Sequence, residues 1–568
     1  MPAIVTNKVR LSTAKQFVES FDEQTPTSYY LFIGKSTPWN DDLTPAVPID
    51  SPDVQYYVHE DIIFMKKLQA NNISHAIRRY DWTSEVYYRE YYHEMDLFAT
   101  VNKTTAGALT NLDVTPFYVV TTTNDEYRVY KCLSNNNGAP STIDPATIDT
   151  GTGEGGGVGD NGLIYCSDGY VWKFMYSVSD ADMLKFVTSD WIPVKIVKYN
   201  DASRQFTVQN NARDGAIEVI DINGTNSGYS SAPTLTIAVP HKGGTRAVSQ
   251  TLTLSGGAVQ FPIKLTTVGT NYYKQPTITV SAGNLQVRAV LSPKGGHGFD
   301  AVSELGGVAV MIYVELSGSE SNQLITVNDY RRIGIIVDPI ELNSTGTSTG
   351  VVTSSFPQIT GYLSGYNSST NPTSANNNIK IATNPTASIL GKDIVLISGP
   401  GRGERRKIIG YETTANMLLV DKNWTVSPDQ RPTTSTVCGL VTSSTGENNL
   451  YKLTLTGNST PGAFTIDSTI TSGSKTAKVV QYVPASSPDP AYVLVNEVST
   501  TAVDTYDQKV FNDSDSIGDG TNSATIATSG VTKLGSESYY GDVIYLENRR
   551  SINRASDQTE EIRIVLEF

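Results

Sequence analysis

The stretch Gly541–Phe568, GDVIYLENRRSINRASDQTEEIRIVLEF, decides how this chain is read. Val543, Ile544 and Tyr545 open one strand-like run. Ile562, Ile564, Leu566 and Phe568 form a second, alternating with Arg563, Val565 and Glu567. Period-two alternation predicts a half-buried strand that continues to the last residue. Free ends normally fray, so an apolar Phe568 predicts a terminus pinned into a sheet or an interface. Between the two runs lies charged chain, Glu547-Asn548-Arg549-Arg550 and Asp557-Gln558-Thr559-Glu560-Glu561.

Composition extends the β reading outward. A chain of 568 residues exceeds the ~250–300 that one core serves, which predicts several domains. Charged residues make up only 18%, while Ser, Thr, Gly and Tyr abound; this suits short strands and polar turns and excludes a helical bundle. The expected class is mainly β with a few helices (α+β), multidomain, with a β-sandwich-like core and inserted small β-modules. The formal net charge of −14 argues against nonspecific nucleic-acid binding, which draws on Lys and Arg neutralising phosphates. Cys132, Cys166 and Cys438 are odd in number and form no CxxC, so no disulfide framework is expected and Cys132 and Cys166 read as buried free thiols. The start, MPAIVTNKVR, lacks the apolar region of a signal peptide, and no apolar run reaches ~18 residues. Neither a membrane nor a nucleic acid is an expected partner.

Helices are expected to be few. Thr13–Gln16 reads as a capping box, with Phe17 and Phe21 four apart. Ser51-Pro52 starts a second helix, whose apolar face would run Val54, Val58, Ile62, Met65 and Leu68 and end at Asn71-Asn72. Ser179–Asp182 opens a third, carrying Met183, Phe186 and Val187. Strands are expected at 117–121, 127–133, 163–166 and 170–177, with a long Gly-rich loop over 144–162.

An internal repeat lies between about 200 and 292. Tyr229-Ser230-Ser231-Ala232-Pro233-Thr234-Leu235-Thr236-Ile237 parallels Tyr272-Tyr273-Lys274-Gln275-Pro276-Thr277-Ile278-Thr279-Val280 at an offset of 43, and Arg246-Ala247-Val248 parallels Arg288-Ala289-Val290. Two copies are too few for a solenoid and fit a small β-module with similar halves. Residues 341–379 are rich in Ser, Thr, Asn and Gly, a linker or long loop. A second β-rich insert begins at 380, with strands expected at 393–398, 406–411, 417–420, 436–441, 450–455 and 477–483. The expected organisation is core (1–199), inserted module (200–299), core (300–340), second insertion (341–534) and C-terminal core strands (535–568).

No motif carries catalytic chemistry. Gly151–Gly156 matches G-x-G-x-x-G, but no strand precedes it and no helix follows, so it reads as a loop. His59, His75, His93, His241 and His297 have no zinc spacing. Asp513, Asp515 and Asp519 lack the EF-hand spacing and read as solvated turns. Arg402, Arg405, Arg406 and Lys407 form one basic cluster, which reads as a strand edge before it reads as a partner site. Catalytic residues, cofactors and metals are therefore each expected to be none.

The C-terminal segment resembles that of gene product eight, the dimeric baseplate wedge subunit of contractile-tailed bacteriophages, whose family ends in a strand, Glu-Asn-Arg, a linker, Asp-Gln-Thr-Glu-Glu-Ile and a terminal strand. Five further elements match in chain order: Ile33-Gly34-Lys35-Ser36-Thr37-Pro38-Trp39, Arg78-Arg79-Tyr80-Asp81-Trp82 (with Tyr80 added), Val129–Leu133, Asp168-Gly169-Tyr170-Val171-Trp172, and Tyr330-Arg331-Arg332-Ile333-Gly334-Ile335-Ile336. The resemblance spans roughly 1–195, 300–340 and 535–568. It implies an elongated, β-rich structural subunit that forms a homodimer, joins other baseplate wedge subunits and rearranges on tail contraction. It also implies a place in the virion after assembly in the host cytoplasm. The insertions, outside the resemblance, are expected to add contacts to tail fibres or neighbouring baseplate proteins. Within the matching elements Trp39, Trp82 and Trp172 read as core residues first and interface anchors second. Arg78, Arg79, Arg331, Arg332, Arg549 and Arg550 form three Arg-Arg pairs suited to bridging carboxylates at subunit contacts, with Glu560 and Glu561 as candidate partners and Phe568 as a candidate contact. The competing reading is a tail protein whose Tyr-rich modules bind host-surface glycan; a depolymerase is a third, without a visible site.

Overall fold

A computed structural model describes residues 6–21, 27–98, 115–123, 126–149, 160–222, 224–241, 243–340 and 342, and then 377–381, 385–386, 389–390, 392–398, 404–414, 416–421, 423–424, 436–440, 446–460, 464–500 and 511–568. The protein is mainly β and multidomain, with many sheets and a small closed barrel. Six α-helices occur among the described residues: α1 (Asn7–Glu19), α2 (Pro52–Asp61), α3 (Pro145–Ile148), α4 (Asp180–Phe186), α5 (Arg204–Asn211) and α6 (Ala301–Glu304). The chain divides into two compact units. The first comprises Met1–Glu19, Asn71–Tyr313 and Arg563–Phe568, the second Ser20–Ala70 and Val314–Ile562.

In the first unit, one sheet orders Tyr118–Thr123, Glu126–Asn135, Tyr170–Ser177 and Leu163–Tyr165. Tyr170–Ser177 is buried on both faces, and its Trp172 packs edge-on against Tyr88 and stacked on Tyr170. A second sheet places Ile73–Arg78 between Trp191–Val194 and Ala309–Ser317, with Thr559–Glu567 outermost; Ala309–Tyr313 and Arg563–Glu567 are the parts of the last two strands that count in this unit. The terminal Phe568 is half-buried, its ring 5.4 Å from Phe17 of α1 and its N–H on the Val308 carbonyl.

The repeated module also lies in this unit, and its two copies exchange strands. Leu235–Ile237 pairs antiparallel with its own counterpart Ile278–Val280, placing Thr236 opposite Thr279. An isolated bridge places Ile220 opposite Ile263. Both pairs differ by the repeat offset of 43, so a local two-fold axis passes through them. The first copy's opening strand Ile217–Ile222 pairs with the second copy's last strand Val287–Leu291, while Val248–Ser249 pairs with Leu265–Thr267. The repeated tyrosines follow the exchange. Tyr229 Oη accepts from the Leu285 N–H, and Tyr272 Oη donates to the Ala238 carbonyl. Neither copy buries its apolar face alone.

The core of the first unit holds an unusual polar layer. Lys131 and Lys173 are cross-strand partners and both fully buried. Like charges placed opposite repel, and each lysine is offset by its own carboxylate: Lys131 pairs with Glu304 of α6, and Lys173 with Glu218 at 2.7 and 3.0 Å. Glu304 is itself fixed by the N–H groups of Gly298 and Asp300. His297 lies beside the lysines, fully buried, with Tyr91 edge-on at 5.2 Å, and neither ring nitrogen has a hydrogen-bond partner among the described residues.

The second unit centres on a five-stranded sheet ordered Glu447–Asn448, Ile62–Lys67, Tyr29–Gly34, Tyr330–Val337 and Asp542–Ile552. Tyr29–Gly34 is buried at every position, as a central strand covered on both faces must be. Asn378–Lys380, Met417–Val420, Arg405–Glu412, Asp393–Ser398 and Val437–Leu440 form a second sheet around Trp424, and the strands of 451–533 close a six-stranded barrel around Leu453, Ile470, Val493 and Ile526.

Two helix expectations and one loop expectation need correction. The second helix starts as expected, with Ser51 Oγ accepting from Val54 N–H and Pro52 in the first turn, but it ends at Asp61, and Ile62–Lys67 is a strand. Ile62, Met65 and Leu68 recur at helical spacing, yet Ile62–Met65 are all buried and pair with Tyr29–Gly34. Thr13 does not cap α1: the helix begins six residues earlier, and Thr13 Oγ1 donates to the Val9 carbonyl one turn back. The Gly-rich loop begins with a helical turn, α3, capped by Asp144; Gly151–Gly156 lies outside the described residues. The third helix occurs as α4, capped by Ser179.

Two outcomes test this core. Lys131→Met strands a buried Glu304 and is expected to cost roughly 3–5 kcal/mol, whereas Lys131→Met with Glu304→Gln recovers most of it; urea unfolding of the single and double variants decides. The second concerns pH. Burial, helped by the two lysines, holds His297 neutral well below its ordinary 6.5. Below that pH the unfolded chain binds a proton the folded one refuses, so stability falls with falling pH. His59 and His75, pushed down to about 4 by burial, act in the same direction, and Asp61, pushed up to about 7, opposes them. Replacing His297 with Phe is expected to reduce the loss between pH 6.5 and 5 by up to about 1.4 kcal/mol per pH unit. Parallel stability profiles for the two proteins would refute this origin.

Candidate interface residues

The candidate residues fall into two groups, one in each unit. In the second unit, Arg331 and Arg332 lie side by side on Tyr330–Val337 and are both buried. Arg331 is held by two carboxylates. Its Nε and Nη2 donate to Asp42 at 2.9 Å each, Nη1 and Nη2 reach Asp329 at 2.5 and 3.0 Å, and Nη1 also donates to the Ser36 carbonyl. This guanidinium holds Asp42 below the usual carboxylate range. Arg332 points to the other side, where it pairs with buried Asp61, donates to Asn548 Oδ1 at 3.1 Å and lies 5.3 Å from the centre of the Trp39 ring. Burial pushes Asp61 up to about 7 against the pull of Arg332. Gly34, the register partner of Arg332, makes this packing possible, because a Cβ there would meet the Asp61 carbonyl oxygen at 2.5 Å.

Trp39 is half-buried under Lys35 and Arg332, and its indole N–H donates to the Arg549 carbonyl at 3.0 Å. Arg549 pairs with Glu547 at 2.8 Å on its own strand, and Arg550 donates to the Leu43 carbonyl. Glu560 accepts from Tyr330 Oη at 2.8 Å, and its cation is Arg554, at 2.9 Å, not one of the Arg-Arg pairs. Arg554 was invisible as a site residue in sequence; it also donates to the carbonyls of Leu316, Gly318 and Gln558. Glu561 is exposed.

In the first unit, Arg78 stacks over Trp191, 3.8 Å from the ring centre, and pairs with Glu567 at 2.8 Å, both side chains half exposed. Arg79 is tied to Asp81 at 2.8 Å and to the Thr188 carbonyl. Trp82 donates to Ser141 Oγ at 3.1 Å, and Trp172 is wholly buried. Arg78, Trp191 and Glu567 line a groove of about 570 Å³ with Tyr80, Phe98 and Tyr118. The acidic residues of the barrel tie turns: Asp513 accepts from Ser529 and Gly530 N–H, Asp515 pairs with Lys475, and Asp519 accepts from Thr521 and Asn522 N–H. Arg406 pairs with Glu404 and lies over Trp424, and Arg402 lies outside the described residues. All three cysteines are free and buried. No described helix is long and apolar enough to cross a membrane.

This arrangement holds strands together through arginine; what it serves is indicated by comparison. Residues 3–211 match the family model Phage-Gp8, described as Bacteriophage T4, Gp8. Over these residues, less than half of the chain, the protein is similar to the Gp8 family. The Gp8 match contains Trp39, Arg78, Arg79, Trp82 and Trp172, together with Lys131 and Lys173, and it ends before the strand that carries Arg331. No curated protein matches the chain.

The Arg331 clamp yields a direct expectation. Arg331→Ala leaves Asp42, Asp329 and the Ser36 carbonyl without their shared donor and is expected to cost roughly 3–5 kcal/mol in urea unfolding. Arg331→Lys should restore only part of it, since one ammonium cannot bind two carboxylates in bidentate fashion.

Proposed function

We propose that this chain is a member of the Gp8 family and a mechanical part of the baseplate wedge. It forms a homodimer, bridges other wedge subunits and exchanges one set of contacts for another when the tail contracts. It does this without catalysis. The family match over 3–211 carries the reading. The interior supports it, because Arg331, Arg332, Lys131 and Lys173 are each fixed by buried or half-buried carboxylates. Units built this way move as bodies, and change is concentrated at their contacts. Among the candidate residues, half-exposed Arg78 and exposed Arg550 and Glu561 lie at the surface. The segments 200–299 and 341–534 are read as the parts that add contacts to neighbouring baseplate proteins or fibres.

Light scattering on the purified chain over a range of concentrations tests the dimer. A mass near twice 61.5 kDa is expected. A trimer would replace this reading with that of a spike-like, glycan-binding tail protein.

A further inference from the structure

The segment Leu43-Thr44-Pro45-Ala46-Val47-Pro48-Ile49 displays three large apolar side chains to solvent, with Leu43 68%, Val47 85% and Ile49 70% exposed. Single exposed apolar residues are ordinary, but three within seven residues of one stretch are not. Nor is the stretch loose. Asp41 accepts from the Leu43 N–H and from Thr44 Oγ1, Arg550 Nε donates to the Leu43 carbonyl, and Asn548 Nδ2 donates to the Ala46 carbonyl. Asp42, at its base, is fixed by Arg331 and by the Trp39 N–H. Pro45 and Pro48 restrict the backbone further. The protein thus spends six polar contacts holding apolar side chains away from its own cores. Such pre-organisation lowers the entropy lost on binding.

We infer that Leu43–Ile49 is a preformed anchor that inserts into an apolar pocket of another baseplate subunit, one whose rim carries lysine or arginine. This rests on the baseplate reading above. The sign of the rim follows from the two exposed carboxylates that continue the segment, Asp50 and Asp53. The same charges argue against a second copy as occupant, since this face would meet its own carboxylates in a chain of net charge −14. Edge pairing through the adjacent strand Asp542–Ile552 is also disfavoured, because its register against Tyr330–Val337 shifts twice, and bulges guard an edge against strand addition.

The test uses the full-length chain, co-expressed with the other wedge proteins of its phage, and reads its amount in purified baseplates by quantitative mass spectrometry. Because the side chains are exposed, Val47→Asp with Ile49→Asp is expected to leave the melting temperature and the solution mass unchanged while incorporation falls at least tenfold. Asp50→Lys with Asp53→Lys should lower incorporation too, and more strongly at low salt. Normal incorporation of the Val47/Ile49 variant beside normal incorporation of the unaltered chain overturns the anchor alone. Absence of the unaltered chain from baseplates overturns the baseplate reading and the anchor with it. A Val47/Ile49 variant that becomes monomeric where the unaltered chain is dimeric identifies a second copy as the occupant and overturns the proposed partner.

Discussion

The second unit depends on one constraint: a guanidinium cannot be left alone in a protein interior. Arg331 is buried on the strand next to the sheet edge, and it stays there because Asp42 and Asp329 approach it together. Asp42 arrives on the loop after Trp39, so satisfying Arg331 fixes that loop. Fixing the loop in turn sets Trp39 between Arg332 and the Arg549 carbonyl. Buried ion pairs add little net stability over an apolar replacement, but they penalise every arrangement that separates the partners. Here the penalised arrangements are those in which the 36–42 loop, Tyr330–Val337 and Asp542–Ile552 lose register. The first unit uses the same logic with lysine, where Lys131 and Lys173 would repel across adjacent strands unless Glu304 and Glu218 were both in place.

How far the sequence discloses this differs by level. The β class was legible, since alternation and turn-rich composition report burial locally. The repeat was legible too, from Tyr229–Ile237 and Tyr272–Val280, but its exchange of strands was not, because an offset says which segments are alike and nothing about which of them pair. The second helix shows the limit of periodicity. Val54 and Val58 obey the helical spacing inside α2, and Ile62 and Met65 obey it by coincidence in a strand buried on both faces. The stop is set from elsewhere, where Gly34 lets the chain at Asp61 come close.

The candidate residues divide the same way. Arg-Arg pairs and tryptophans stood out because those residue types are costly to place without partners. Their partners did not stand out, because Asp42, Asp61 and Asp329 are joined to them only by the fold. Nothing around Arg554 in sequence marks it, though it holds three backbone carbonyls and Glu560. Lys131 lies inside the Val129–Leu133 element and Lys173 one residue past Asp168–Trp172; a lysine amid Tyr, Cys, Trp and Phe on a buried strand is itself the signal of a charge that needs a partner.

Chain topology adds a final constraint. The chain passes between the two units after residues 19, 70, 313 and 562, so neither unit is one continuous segment. Its last 28 residues serve both: Asp542–Ile552 is the edge strand of the second unit's main sheet, and Arg563–Phe568 belongs to the first, where Phe568 meets Phe17. Deleting Gly541–Phe568 would therefore strip both cores at once and report on folding, not on assembly. Contacts with other subunits are separable from the fold only where side chains are exposed and their backbone is held by others, a condition that Arg78 meets in the first unit and Leu43–Ile49 in the second.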